Sequence, residues 1–208
     1  MGRRSSHSAD ELRELIVSAA TDIIGEKGYA ALSARAIATR IGYSPGTLYN
    51  VFDDLDHLVL TIEQRVLDQL AERLTRVPHG ADPVQHLCDV AHAYLEFTNE
   101  RPRLWNLLFE HLMPNGWAPP PAFQARIDRL RKIVEGACVP IVGGEDRALL
   151  HRTASVVWVA LHGITSLATT EKLENVTHEQ ACVLVDDLVR TYATGRMVGA
   201  GSAKRKRK

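Results

Sequence analysis

The 208-residue sequence has few cysteines, few aromatic residues (6%) and no formal net charge, with 25 basic and 25 acidic side chains. Its three cysteines, Cys88, Cys138 and Cys182, are odd in number and far apart. That pattern excludes a secreted disulfide framework and a CxxC metal site. No pair of the nine histidines has the spacing of metal ligands. We therefore expect no metal, no other cofactor and a reducing, cytoplasmic environment.

Long apolar runs are also scarce. The basic start of the chain is not followed by the apolar stretch of a signal peptide, so we expect no export. Residues 153–170 carry no formal charge, and 18 residues reach the lower length limit of a membrane helix. This segment includes His162, Gly163, two serines and four threonines. We predict a buried helix there and no membrane partner.

The alternation of polar and apolar residues that is typical of strands is missing, whereas helical spacing recurs along the chain. Helices are predicted at 8–27, 33–41, 44–52, 54–76, 83–100, 101–111, 121–142, 145–168 and 177–196. Ser8 with Glu11, and Thr177 with Gln180, match the capping box that begins a helix. The pattern predicts an all-α protein with a small three-helix N-terminal unit and a larger C-terminal helical bundle.

The strongest enzymatic motif is G-x-S-x-G at residues 42–46, the nucleophile elbow of serine hydrolases. That elbow must follow a strand, and its oxyanion hole uses the N–H of the residue after the serine. Here a helix is predicted first, and Pro45 has no N–H. Ser44 as N-cap with Pro45 at the first helical position explains the same residues without catalysis. We predict no catalytic residue.

Acidic residues are absent from Lys27 to Phe52, where the sequence is suited to contact with phosphates. The short helix that begins at Ser44 carries Thr47, Tyr49 and Asn50, whose side chains can hydrogen-bond to base edges or phosphates. Two helices joined by a tight turn, with a polar outer face, fit the major groove of DNA. A helical hairpin with a packed, uncharged face fits the same spacing.

Residues 28–52, GYAALSARAIATRIGYSPGTLYNVF, resemble the DNA-binding domain of tetracycline-repressor-like (TetR-family) regulators. The matching positions are Gly28, Tyr29, Ser33, Ile37, Ala38, Gly42, Ser44, Gly46, Leu48, Tyr49 and Phe52. The resemblance implies a helix-turn-helix in which seven residues face double-stranded DNA: Ser33, Arg35, Ser44, Pro45, Thr47, Tyr49 and Asn50. It also implies a homodimer on a palindromic operator, held together by the last two long helices.

Trp158, His162 and Gly163 are similar to the W-x-x-x-H-G signature of one class of C-terminal domain in the same family. Trp158 and His162 share a helix face and are expected to line a pocket for a small, largely apolar effector. Four further residues are expected to contribute to it: Trp105, Phe109, His111 and Trp117. Packing in an ordinary core explains the same aromatic residues and histidines.

Three domains are predicted: a helix-turn-helix domain at 1–53, a ligand-binding and dimerisation domain at 54–198 that begins with the connecting helix, and a basic disordered tail at 199–208. We expect a non-enzymatic transcriptional repressor that an effector releases from DNA. Two alternatives remain: a helical small-molecule-binding protein or enzyme that ignores DNA, and a DNA-binding regulator without an effector.

Overall fold

A computed structural model describes residues 7–112 and 119–205, with side chains described as far as Val198. Over these ranges the chain is helical and contains no strand, which confirms the all-α class. The α-helices are α1 (Ala9–Lys27), α2 (Ala34–Ile41), α3 (Leu55–Thr75), α4 (Pro83–Glu100), α5 (Pro102–Glu110), α6 (Pro121–Val142), α7 (Arg147–Thr169) and α8 (Ala181–Arg205). Short 3₁₀ helices cover Tyr29–Ala31, Pro45–Asn50 and Leu173–Asn175.

The chain forms two compact units. The first contains residues from Met1–Val66 and Arg101–Phe123, and the second contains residues from Leu67–Glu100 and Gln124–Lys208. The boundary therefore falls within α3. By packing, α5 belongs to the first unit, although the sequence placed it in the C-terminal domain.

The beginning of α1 follows the predicted capping box. The Glu11 backbone N–H donates to the Ser8 hydroxyl at 3.2 Å, and the Ser8 N–H donates to the Glu11 carboxylate at 2.7 Å. Because apolar residues recur every three or four positions, one face of α1 buries Ile16, Ile23 and Ile24 in the first unit. This face is the platform on which the helix-turn-helix packs.

Gly42 ends α2 in the left-handed conformation, at φ 75°. A side chain strains that conformation, so glycine suits the turn. The next segment was predicted as a helix at 44–52, but it is a 3₁₀ helix limited to Pro45–Asn50. Pro45 removes a backbone donor and Gly46 has low helix propensity, which explains the short, tight form. Both Val51 and Phe52 then donate their N–H groups to the Leu48 carbonyl, which closes the segment.

In the second unit α4 packs against α8, where His92 bonds to Asp186 at 3.0 Å and Arg190 donates to Gln85 at 2.8 Å. Two thiols lie inside this unit. Burial raises the pKa of Cys88 to about 11 and that of Cys138 to about 12, so both remain protonated.

The last helix differs from its prediction at both ends. Thr177 accepts from the Glu179 N–H, so the predicted capping box with Gln180 is wrong, and α8 begins at Ala181. It continues past Arg196 to Arg205, since glycines lower helix propensity without forbidding a helix. Residues 199–205, predicted as disordered, are thus helical, and 206–208 lie outside the described residues.

The uncharged segment 153–170 lies mainly in α7, with Thr153, Val157, Leu161 and Thr165 buried in the second unit. Among the described residues, no helix has the length and apolar character that a membrane span requires.

Candidate nucleic-acid interface and ligand cavity

The segment Pro45–Asn50, called the reading helix below, is held from beneath by two apolar side chains. Leu48 within it is 2% exposed, and Phe52 just after it is 1% exposed. Both pack into the first unit. With these two residues turned inward, the rest of the segment points away from the core.

Six of the seven residues expected to face DNA are exposed, and Thr47 is half-buried. The exposed six are Ser33, Arg35, Ser44, Pro45, Tyr49 and Asn50. Tyr49 leaves 56% of its surface open, unusual for an aromatic residue without a partner molecule. The exposed residues come from the start of α2 and from the reading helix, which together form the surface that the sequence predicted for DNA.

Two of these hydroxyls already have intramolecular partners. Ser33 caps α2 by accepting the Ala36 N–H at 3.1 Å. Ser44, predicted as a side-chain N-cap, instead lies 3.0 Å from the Thr47 hydroxyl and makes no bond to the backbone of the reading helix. A hydroxyl can donate once and accept twice, so both groups keep capacity for a base or phosphate.

Arg13 of α1 was not identified from the sequence, yet it clamps the end of the reading helix. Its guanidinium donates to the Val51 carbonyl at 3.1 Å and lies 4.3 Å from the centroid of the Phe52 ring. A second nitrogen reaches the Thr61 hydroxyl of α3 at 3.5 Å. A contact 38 residues away along the chain leaves no local signal in the sequence.

The positive charge of this surface is smaller than the acid-free stretch indicated. Arg40 forms an ion pair with Glu26 of α1 at 2.5 Å and lies 4.0 Å from Asp22. The hydrogen bond from Arg40 holds the pKa of the Glu26 carboxyl below its usual range, so this pair stays charged near neutral pH. Arg40 is therefore partly neutralised, while Arg35 is exposed at the start of α2.

The residues expected to bind an effector divide between the two units. Trp105, Phe109 and His111 belong to the first unit, where the Trp105 and Phe109 rings meet edge to face at 5.6 Å. Trp117 lies outside the described residues. Trp158 and His162 belong to the second unit. Side chains that the sequence patterns assigned to one pocket thus belong to two different units.

A small cavity of about 20 Å³, room for about one water molecule, lies in the second unit. α3, α4, α6 and α7 contribute its walls, which include Leu74, Val90 and Leu130 together with the rings of Tyr94 and Trp158. Apolar walls with few polar groups are typical of sites for apolar small molecules. Among the described side chains no group of three or more His, Cys, Asp or Glu is arranged to hold a metal ion.

His162 supports a wall of the cavity rather than forming one. Its Nδ1 atom lies 3.3 Å from the Tyr94 hydroxyl, and the Tyr94 ring lines the cavity. Burial lowers the pKa of His162, which favours the neutral imidazole, and burial raises the pKa of Tyr94. The two side chains thus form a neutral polar pair behind an apolar surface.

Comparison with known proteins identifies both parts of the chain. Residues 16–62 match the family of bacterial regulatory proteins of the tetR type, and residues 87–192 match the tetracyclin repressor-like C-terminal domain, a range that includes Trp158, His162 and Gly163. The chain belongs to the TetR family. It is a helix-turn-helix transcriptional regulator that binds DNA.

Relatives within the TetR family cover most of the chain. It is 27% identical to the HTH-type transcriptional regulator Rv0681 of Mycobacterium tuberculosis, over 87% of this chain and 80% of that protein. It is 25% identical to the HTH-type transcriptional repressor KstR of Rhodococcus jostii, over 75% and 73%. The fold is similar to that of FadR from Bacillus subtilis, solved with stearoyl-CoA, at a TM-score of 0.64 and 16% identity, over 88% of this chain and 98% of that one.

From the contacts of Arg13 with the end of the reading helix we predict a selective effect of the Arg13→Met substitution. This change keeps the aliphatic stem but removes the bond to the Val51 carbonyl, and a hydrogen bond from a charged donor contributes about 1.5–3 kcal/mol. We expect the free energy of unfolding to fall by roughly that amount and DNA affinity to fall with it, measured by urea unfolding and fluorescence anisotropy.

Arg65→Met is the matched control, because Arg65 forms an exposed ion pair with Glu14 on the same face of the unit. Exposed pairs contribute about 1 kcal/mol or less. Equal effects of the two substitutions on both measurements would show that Arg13 does not hold the reading helix.

Proposed function

We propose that this TetR-family regulator represses transcription as a homodimer on a palindromic operator and that a small apolar molecule releases it. The observation that carries the DNA-binding part is the reading helix, whose outward residues are polar while Leu48 and Phe52 fix it from below. Six residues contact too few base pairs for a selective site, whereas a two-fold dimer doubles the contact. The name of its relative KstR supports repression as the direction of control.

Within the reading helix the proposed roles differ. Thr47 reads base edges, while Tyr49 and Asn50 bind phosphates or neighbouring bases. Ser33 and Arg35 at the start of α2, with Ser44 and Pro45, contact the sugar–phosphate backbone. Phosphate contacts position the protein, and base contacts give it selectivity.

Two substitutions separate these roles. Thr47→Ala removes one base contact, so we expect the preference for the operator over altered sequences to fall by about 5-fold, equivalent to roughly 1 kcal/mol for a net hydrogen bond. Tyr49→Phe removes a phosphate contact and is expected to weaken binding to most sequences alike. Binding to a randomised duplex library measures both effects.

Thr75→Ala is the control, since it removes a threonine hydroxyl from α3 in the second unit. Unchanged affinity and preference in both Thr47→Ala and Tyr49→Phe would contradict the assignment of this helix as the DNA reader.

The proposed dimer face lies on α7 and α8. Val159 is 71% exposed on α7, Val156 is 41% exposed one turn earlier, and Val183 of α8 is 43% exposed. Gly163 continues the α7 stripe and permits close approach of another helix. Val189 of α8 is fully buried within its own subunit and is excluded from this face.

Val159→Arg places a charge in this face and is expected to give a folded monomer with weakened operator binding. Val176→Arg is the control, since Val176 is equally exposed, at 70%, but lies beside the Leu173–Asn175 turn outside the two helices. Sedimentation and circular dichroism distinguish the outcomes. A Val159→Arg protein that remained a dimer would rule out this face.

The proposed effector binds at the apolar cavity of the second unit, which must widen from about 20 Å³ to hold it. Its carbon-lined walls favour an apolar molecule, and the similarly folded FadR holds a long-chain acyl thioester, stearoyl-CoA. An effector lowers operator affinity only if it binds more tightly to the conformation that fits the operator less well. A coupling of about 1–3 kcal/mol lowers operator affinity roughly 5- to 150-fold.

His162→Ala tests the cavity. Without His162 the Tyr94 hydroxyl loses one of its partners and the wall that Tyr94 forms is less firmly held, so we expect the effector concentration for half-release to rise about 10-fold, the change that 1.4 kcal/mol produces. Operator affinity without effector should stay unchanged. His151→Ala is the control, because His151 lies on the same helix but is exposed and bonds to Glu135.

The probe is a panel of apolar compounds, added to the complex of the protein with its selected operator. A panel that leaves operator affinity unchanged, in the native protein as in both variants, would favour a regulator without an effector.

A further inference from the structure

Three ionisable side chains of the first unit meet where the end of α5 lies against α3. His111 follows α5, and its side chain is 1% exposed. Its Nδ1 atom lies 3.1 Å from a Glu63 oxygen and its Nε2 atom 3.3 Å from an Asp56 oxygen. The Glu63 side chain is 4% exposed, and that of Asp56 is 37% exposed. Both carboxyl groups belong to α3, one on each side of the imidazole.

The two contacts of His111 require one proton in addition to the one that a neutral imidazole carries. A neutral imidazole carries one N–H and one lone pair, and therefore satisfies only one of two carboxylates. The other ring nitrogen would place its lone pair against a carboxylate oxygen. Both contacts are hydrogen bonds only if His111 is the imidazolium or if one of the carboxyl groups is protonated. The three groups together therefore hold one proton more than a neutral histidine between two carboxylates.

Among the described residues near these three groups, no positively charged side chain replaces this proton. The Tyr29 ring meets His111 edge-on at 5.9 Å, and the pKa of Tyr29 is raised by burial and by the two carboxyl groups. On α5, Arg103 donates to the carbonyls of Gly25 and Glu26 at the end of α1. On α1, Arg13 is bonded to Val51, and on α3 His57 pairs with Asp53.

We propose that Asp56, Glu63 and His111 form a proton-holding clasp that fixes α5 to α3 and that loss of its proton weakens DNA binding. His111 and Glu63 are then positioning residues of the DNA-binding unit. The proposal depends on the DNA-binding function and not on an effector.

The clasp is connected to the reading helix through the residues that hold that helix in place. The same stretch of α3 carries Thr61, which bonds to Arg13, and His57, whose ring meets the Phe52 ring at 5.6 Å. At the other end of α5, Arg103 caps α1, the helix that carries Arg13. Releasing α5 therefore loosens two of the elements that hold the reading helix.

The proton leaves near neutral pH. Burial raises the pKa of Glu63 from 4.5 to about 7, and the contact with His111 works in the opposite direction. Between these two values the Glu63 carboxyl group retains its proton in the folded protein and has released it in the unfolded chain, so the contribution of Glu63 to stability falls as pH rises through this window. Above about pH 7 both states have lost the proton, and this group contributes no further slope.

Glu63→Gln removes the titration while preserving the shape of the side chain. In the native protein we expect the ratio of folded to unfolded molecules to fall as pH rises from 4.5 to 7, because Glu63 loses its proton in this range. Affinity for a selected operator duplex should fall between pH 6 and 8. Both slopes should become shallower in Glu63→Gln and stay unchanged in Glu110→Gln, whose carboxyl group is exposed beside the clasp. Equal slopes in all three proteins would overturn the proposal.

A spectroscopic measurement on the native protein is independent of whether Glu63→Gln folds. NMR spectra of the labelled imidazole nitrogens and carboxyl carbons at pH 6 should show either a doubly protonated His111 ring or a protonated carboxyl group at Glu63 or Asp56. A singly protonated ring between two ionised carboxylates at pH 6 would overturn the proposal.

Discussion

The DNA-binding surface depends on the burial of two side chains, Leu48 within the six-residue 3₁₀ reading helix and Phe52 just after it. So short a helix has no stability of its own, because isolated helices of fewer than about 12 residues are marginal in water. Its position is set by tertiary contacts: the two buried side chains, the turn at Gly42 and the bonds from Arg13. The residues underneath fix the direction in which the outward polar residues point.

α5 shows how a segment that looks like part of one domain serves another. It follows α4 directly in sequence, yet it packs in the first unit, where Arg103 caps α1 and His111 lies between two carboxyl groups of α3. α3 itself begins in the first unit, and its later residues Leu70 and Leu74 line the cavity of the second. α3 is thus a continuous helix with residues in both units.

Sequence reasoning succeeded where a local rule governs the structure. The 3.6-residue period located the helices, and the Ser8–Glu11 box marked a beginning that the structure confirms. It failed where contacts between residues that are distant in sequence determine the structure. Arg13 reaches Val51 across 38 positions, and His111 finds its partners on α3 instead of in the cavity, contacts that no spacing rule reveals. The 3₁₀ form of the reading helix was missed because its residues satisfy α-helical capping rules equally well.

We propose that the reading helix selects DNA as one of a pair in a two-fold dimer. Selection of random duplexes by the purified protein, followed by hydroxyl-radical footprinting of the recovered sequence, tests this proposal. We expect an inverted repeat with two protected half-sites about 34 Å apart, or a multiple of that distance, on one face of the DNA double helix. Recovery of no common sequence, or of a single half-site protected by one subunit, would contradict it.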